Sequence, residues 1–272
     1  MPKDGETPKI VWGFRGMDSG KASTVKRAGH STENMLATLI GIPPENIVTG
    51  TGKTDLISKD GKRISLKSSH DAKGRSQICL YSYSSEYLNA IVNGTTTRIK
   101  ECLAVFPEAQ EEYRENRTMI KEFLQPKMIE LQRYINADKR NKKEFLNFIF
   151  FTDHDGKKID FLIITDRSFN FHIFDADEVT SAFCDNTIVV NSKARHYYET
   201  PNQKVLFKGK NEKGSYVNLI ENEIRTSTHY RRFLSVGNKT KYLFVLSSNI
   251  TPNKKVKDHL ILYGKALTSF NY

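Results

Sequence analysis

The spacing of apolar residues changes period several times along the chain, and each change marks an element. Met35, Leu36, Leu39 and Ile40 recur at helical spacing, with Ser31 or Thr32 available to cap the start. Gly41 and Pro43-Pro44 end that helix. Residues 54–58 and 62–67 then read as two strands about a tight turn at Lys59-Asp60-Gly61. A polar loop from Ser68 to Arg75 follows, and residues 76–90 read as a helix. Pairs such as Met119-Ile120, Phe123-Leu124 and Met128-Ile129 recur at helical spacing through residues 95–148, with Pro107 and Pro126 as punctuation. Two or three helices with charged outer faces are expected there. Strands dominate the remainder: 148–152, 159–165 and 171–174 as a meander about Asp155-Gly156, then 187–191, 205–208 and 241–247. Helices are expected at 175–183 and, rich in arginine, at 221–233.

This order predicts an α/β fold: a mixed central sheet flanked by helices, with a basic, strand-rich C-terminal part. The 272 residues suit one domain. Within it, 26–90 forms the core segment, 95–148 a helical segment and 149–272 a sheet and recognition part. Ile10, Val11, Trp12 and Phe14 are expected to anchor an exposed N-terminal arm. Apolar runs stay well short of the roughly 20 residues of a membrane span, and the N-terminus lacks the apolar stretch of a signal peptide. Cys79, Cys102 and Cys184 are odd in number and match no zinc-ligand spacing, which points to a reducing cytoplasm.

Charge sharpens the picture. The formal net charge is +11. Residues 1–80 carry 13 basic and 8 acidic residues, residues 81–160 carry 13 of each, and residues 188–272 carry 15 basic and only 5 acidic. Two basic regions thus flank a neutral middle, and a polyanion such as nucleic acid is the natural partner.

One segment carries chemistry. Ser65 and Lys67 are two apart on a strand and share a face, while Ile64 and Leu66 take the other. A two-residue Asp60-Gly61 turn would set Asp55 opposite Leu66. A three-residue loop with Gly61 in the left-handed region would set it opposite Ser65. The second register is expected, because it gathers Asp55, Ser65 and Lys67 on one polar face. Hydrolysis of a phosphodiester needs a divalent cation on the phosphate and a positioned water. Magnesium takes carboxylate oxygen and keeps several waters, and a nearby ammonium stabilises the charge that builds on phosphorus. One Asp and one Lys on adjacent strands supply those groups.

Lys53-Thr54-Asp55 followed by Ser65-Leu66-Lys67 resembles the PD-(D/E)xK nucleases, in which an Asp and an acid-x-Lys tripeptide lie on adjacent strands. Ser65 stands where the second acid would be. In this the chain is similar to the MspI-type restriction endonucleases, which also replace that acid with a neutral polar residue. The resemblance covers about residues 26–90. It implies a type II, Mg²⁺-dependent, site-specific deoxyribonuclease of a prokaryotic cytoplasm. Double-stranded DNA would be its substrate, cut by inverting hydrolysis to 5′-phosphate and 3′-hydroxyl ends. It also implies Asp55 as the metal ligand, Lys67 as the group that positions water, and Ser65 as a weak ligand or water anchor. Glu33 on the preceding helix and Gln77, in a Gln77-x-x-x-Tyr81 element on the following one, would support metal-bound water.

The remaining candidates concern DNA contact: Lys53 beside the site, Lys73 and Arg75 in the loop, and two mixed clusters. The clusters are Lys193, Arg195 and His196, and Arg225, Ser227, His229, Arg231 and Arg232. Arginine reads guanine edges while Lys, Ser and Thr hold phosphates, and interleaved aromatics suit unpaired bases. Gly50-Thr51-Gly52-Lys53-Thr54 lacks the spacing of a phosphate loop, no His-x-x-x-His pair is present, and His154 reads as an exposed turn residue. The alternatives kept open are a structure-selective or repair nuclease of the same superfamily, a non-catalytic basic DNA-binding protein and an RNA-binding module. A monomer and a homodimer are equally compatible with the sequence.

Overall fold

The computed structural model describes residues 31–50, 52–68, 77–83, 85–165, 169–197, 199–210, 213–225, 229–235, 252–257 and 260–263. Helix α1 covers 31–40 and buries Leu36, Ala37 and Ile40. Gly41, at φ +70°, ends it: the Ile42 amide donates to the Ala37 carbonyl at 2.8 Å and the Gly41 amide to that of Thr38 at 3.3 Å. Only glycine adopts this closing conformation without steric cost. The 3₁₀ turn Pro44–Asn46 then leads the chain to the sheet.

The fold is α/β. A mixed six-stranded sheet has the order β1 (Leu56–Ile57), β2 (Arg63–Ser68), β4 (Phe161–Thr165), β5 (Phe171–Asp175), β11 (Leu260–Tyr263), β10 (Pro252–Lys257). The β2–β4 and β5–β11 pairs are parallel and the rest antiparallel. An antiparallel five-stranded sheet has the order β3 (Gln77–Tyr83), β9 (His229–Ser235), β8 (Tyr216–Arg225), β7 (Lys204–Lys210), β6 (Thr187–Asn191). The helices are α2 (Ser85–Ala90), α3 (Gly94–Leu103), α4 (Gln110–Glu115), α5 (Arg117–Ala137), α6 (Lys139–Phe151) and α7 (Ala176–Asn186).

Strand alternation explains the layering. Ile64 and Leu66 of β2, Phe161 and Ile163 of β4, and Phe171 and Ile173 of β5 pack with α1 in a small apolar cluster. Leu162, Ile164 and Phe174 belong to a larger cluster that runs through α3, α5, α6 and α7 to Val189, Phe207 and Ile220 of the second sheet. Ser65 and Lys67 lie opposite Leu162 and Ile164, and so share the face of the larger cluster. At the edge of the second sheet, Gln132 and Asn136 of α5 both donate to the Val189 carbonyl at 2.9 Å, occupying a backbone acceptor that an open edge would expose.

Four expectations are corrected. Residues 77–83 are a strand, with a helix only from Ser85 to Ala90; the Ile and Tyr content suits a strand, and β9 supplies the partner. Residues 148–151 close helix α6 and form no strand. Phe145, Leu146, Phe148, Ile149, Phe150 and Phe151 are all buried, and a continuous apolar run does not by itself separate strand from enclosed helix. The expected arginine-rich helix at 221–233 is the β8–β9 hairpin. The middle contains four helices, and Pro126 lies inside α5 without ending it. The expected strand at 241–247 and the arm at 10–14 lie outside the described residues. Among the described residues no helix is long and apolar enough to cross a membrane.

Candidate active site

The β1–β2 hairpin has the register that gathers the polar residues. Leu56 pairs with Ile64 and Ile57 with Arg63, which sets Asp55 opposite Ser65, and the Asp55 amide donates to the Ile64 carbonyl at 2.8 Å. The loop is the three-residue one: the Ser58 amide donates to Lys62 O at 2.9 Å, and Gly61 sits at φ +78°. A non-glycine residue there would be strained although the space is open.

Strand β1 begins only at Leu56, opposite Ile64, so the β2 amide of Leu66 lacks a strand partner on that side. The Asp55 carboxylate takes its place. Its Oδ2 accepts from the Leu66 amide at 2.6 Å, from Lys67 Nζ at 3.3 Å and, at the long limit, from Ser65 Oγ at 3.5 Å. Lys67 Nζ also donates to the Leu66 carbonyl at 3.1 Å. The Asp55 and Lys67 side chains are 20% and 18% exposed, so the pair is screened but open to solvent, while Ser65 is buried. All described contacts of the carboxylate fall on Oδ2.

The strand entry is clamped from a distance of 100 residues by Asp153, at the end of α6. Its carboxylate accepts from the amides of Lys53 at 2.6 Å and Thr54 at 3.1 Å, and from the Thr54 hydroxyl. A Cβ at Gly52 would lie 2.8 Å from Asp153 Oδ1, so the close approach requires glycine. Arg63 reaches Asp153 at 3.3 Å and makes a forked pair with Asp155 at 3.2 and 2.9 Å. Burial alone would raise the Asp153 pKa, but the Thr54 hydroxyl and the amides of Lys53, His154 and Thr54 outweigh it and hold the group below the usual carboxylate range. Neither this clamp nor Arg63 is among the residues that the sequence reading singles out. The signal was an acid flanking the Asp155-Gly156 turn, which by itself looks like ordinary turn chemistry.

Lys53 does not face outward as expected for a DNA contact. It is 2% exposed, and its Nζ donates to the carbonyls of Phe148 at 2.8 Å and Ile149 at 3.1 Å. These belong to the last turn of α6, whose carbonyls have no helical partner, and an ammonium there satisfies them and complements the helix dipole. His154 is half-buried, with its ring 4.4 Å from that of Tyr87. Burial, and then the nearby Lys53 charge, push its pKa below the usual imidazole value.

Glu33 lies half-buried in the first turn of α1, a helix that packs on the sheet face opposite Ser65 and Lys67. Gln77 begins β3, opposite Ser235, so the helical face expected for Gln77 and Tyr81 does not exist. Lys73, Arg75 and Ser227 lie outside the described residues. Lys193, Arg195 and His196 are exposed in the segment after β6. Arg225 pairs with His229, and Arg231 and Arg232 are consecutive positions of β9, opposite Glu223 and Asn222. They therefore do not form one basic helical face, and their side chains lie outside the described ones. Among the described residues no group of three His, Cys, Asp or Glu side chains is placed to hold a metal. The chain matches no family model, no curated protein and no solved structure.

Proposed function

We propose that this protein is a Mg²⁺-dependent, type II site-specific deoxyribonuclease that hydrolyses phosphodiester bonds of double-stranded DNA, built on a restriction-endonuclease-like core. The observation that carries the reading is the convergence of Asp55, Ser65 and Lys67 at the edge of a mixed sheet, with Lys67 Nζ 3.3 Å from Asp55 Oδ2. A metal site with a single carboxylate is thin, but magnesium keeps several waters and binds through one or two carboxylates together with substrate phosphate. Asp55 Oδ1, with Ser65 Oγ beside the carboxylate, fits such a site. When bound, the cation would polarise the phosphoryl oxygen and favour hydroxide over water.

The chain's own groups then do the following. Asp55 is oriented by the Leu66 amide and by Lys67, both of which bond to Oδ2, and Oδ1 would be the oxygen offered to the cation. The Lys67 ammonium has three donors; two point at Asp55 and the Leu66 carbonyl, and the third is available to a water or to a phosphate oxygen. An oxygen–phosphorus bond forms from water, the bond to the 3′ oxygen breaks, and one proton passes to solvent as the 3′ oxygen is protonated. Lys67 stabilises the added negative charge on the phosphoryl oxygens during that exchange.

The test is incubation of a sequenced plasmid with the protein in Mg²⁺ or EDTA, beside Asp55→Asn and Lys67→Ala, with a melting curve for each variant. Discrete Mg²⁺-dependent fragments are expected, with rates down at least about 100-fold in both variants. A smear lost in both would favour a nuclease that does not read sequence. Absence of cleavage, with salt-sensitive retention of the DNA, would support the second reading, a non-catalytic basic DNA-binding protein. That reading draws on the three donors to Asp55 Oδ2, an arrangement that also closes the hairpin end as a purely structural lock.

A further inference from the structure

The β6–β8 part of the antiparallel sheet has two unlike faces. Val189, Val205, Phe207 and Ile220 face the core. The alternate positions face outward, and the register sets Ile188 beside Lys208 and Lys208 beside Asn218. The segment after β6 and this outer face together line a concavity of about 370 Å³. That volume lies in the range of small-ligand sites. Buried Leu206 lines it, and Ile188 and Tyr216 enter it while remaining 42% and 48% exposed.

Its charges are unequal, with Lys193, Arg195, Lys204 and Lys208 against Glu199 and Glu221. Both carboxylates that line it are engaged. Glu221 accepts from Lys204 Nζ and from Asn218 Nδ2, each at 3.1 Å, and Glu199 accepts from the Arg195 amide at 3.0 Å. Lys193, Lys208 and the Arg195 guanidinium also line the concavity and form no ion pair among the described residues. Tyr216 is held by Lys210, whose Nζ lies 5.6 Å from the ring centroid. Four cations against two carboxylates leave a net positive lining; with an exposed, held aromatic ring and a neutral amide it has the elements that bind unpaired nucleotides: cations for the phosphates, a ring for the base, an amide for its edge. A paired backbone has no base to offer Tyr216 and Ile188.

We infer that this concavity seats an unpaired nucleotide of a DNA strand. Its base packs on Tyr216 and Ile188, and its phosphates lie on Lys193, Arg195 and Lys208. The site is on the outer face of the antiparallel sheet, whereas Asp55 lies at the edge of the mixed one. The inference rests on the proposed nuclease reading only for its choice of DNA.

The experiment is fluorescence anisotropy in EDTA, which prevents cleavage, with a labelled 15-nucleotide single strand and the matching duplex. The wild type, Tyr216→Ala, Lys208→Gln and Asp55→Asn are compared, each checked by melting curve. The wild type is expected to bind the single strand. Tyr216→Ala should weaken it about tenfold while leaving the duplex within about twofold. Lys208→Gln should weaken the single strand and reduce its salt slope by about 0.7, and Asp55→Asn should bind as the wild type does. Wild-type affinity for the single strand in both pocket variants would overturn the inference, as would binding of duplex alone. The nuclease reading fails separately: a wild type that binds the single strand through Tyr216 but never cuts with Mg²⁺ keeps the nucleotide site and loses the catalytic one.

Discussion

At the scale of single residues, Ser65 is where the chemistry of the site is open to test. It is buried, and its hydroxyl stands 3.5 Å from Asp55 Oδ2. A carboxylate at that position would face Asp55 across a short gap. Without a cation the two negative charges oppose one another and raise the cost of folding by roughly 2–4 kcal/mol. That corresponds to a fall in melting temperature of about 5–15 °C for a domain of this size. With a cation between them the same pair becomes the better ligand set, and a ligand at 100 times its Kd returns about 2.7 kcal/mol. Ser65→Asp is therefore expected to melt well below the wild type in EDTA and to recover most of the difference in Mg²⁺, while the wild type shifts less. Scanning fluorimetry in the two conditions decides it, and equal Mg²⁺ shifts in both proteins would remove the cation from beside Asp55. Lys53 teaches the opposite lesson at this scale. A lysine beside a candidate site invites a role on the ligand, yet its ammonium is enclosed on the last turn of α6.

At the scale of elements, the hairpin was readable and its support was not. Gly61, the Lys59-Asp60-Gly61 loop and the alternation of residues 64–67 are local signals, so they determine the register without help from the rest of the chain. The clamp at Asp153 is a pairing across 100 residues, which no local pattern encodes. The same limit explains β3, read as a helix because its partner β9 lies far away in sequence; the β8–β9 pairing is local and is not explained in this way. The clamp is testable through protons. The Asp153 pKa is lower in the folded protein than the usual carboxylate value, so its contribution to stability is complete above about pH 5. It is lost as the pH falls through the depressed value. Urea unfolding at pH 7 should show Asp153→Asn less stable by about 1–3 kcal/mol, because the neutral amide binds the Lys53 and Thr54 amides more weakly and leaves Arg63 short of a charge. The gap between variant and wild type should narrow as the pH falls through the acid range. A constant gap would mean that the carboxylate charge is not what holds the strand entry.

At the scale of the whole molecule, charge and architecture are divided alike. The neutral helical middle forms the large core with both sheets, and the excess of cations lies in the parts that flank it. Composition made that division legible. It did not reveal which face of which sheet the cations occupy, because strand register settles that. Helices tolerate charge on a solvated side, whereas 15 basic residues against 5 in residues 188–272 exceed what solubility requires and raise the field toward a polyanion. If this excess is an interface, duplex binding must release condensed counterions, and the observed constant must fall linearly on a log–log plot against salt. Engagement of six or more phosphates predicts a slope of at least about 5 and a loss of roughly 10³ in affinity between 50 and 200 mM KCl. Anisotropy titrations of one duplex in EDTA across that range measure it, and a slope near 1 would mean that the +11 charge is a solvated surface without a nucleic-acid interface. Asp55 neutralises no phosphate, so the same slope in Asp55→Asn separates the holding of DNA, a property of the whole surface, from its cleavage, which is asked of three residues at one sheet edge.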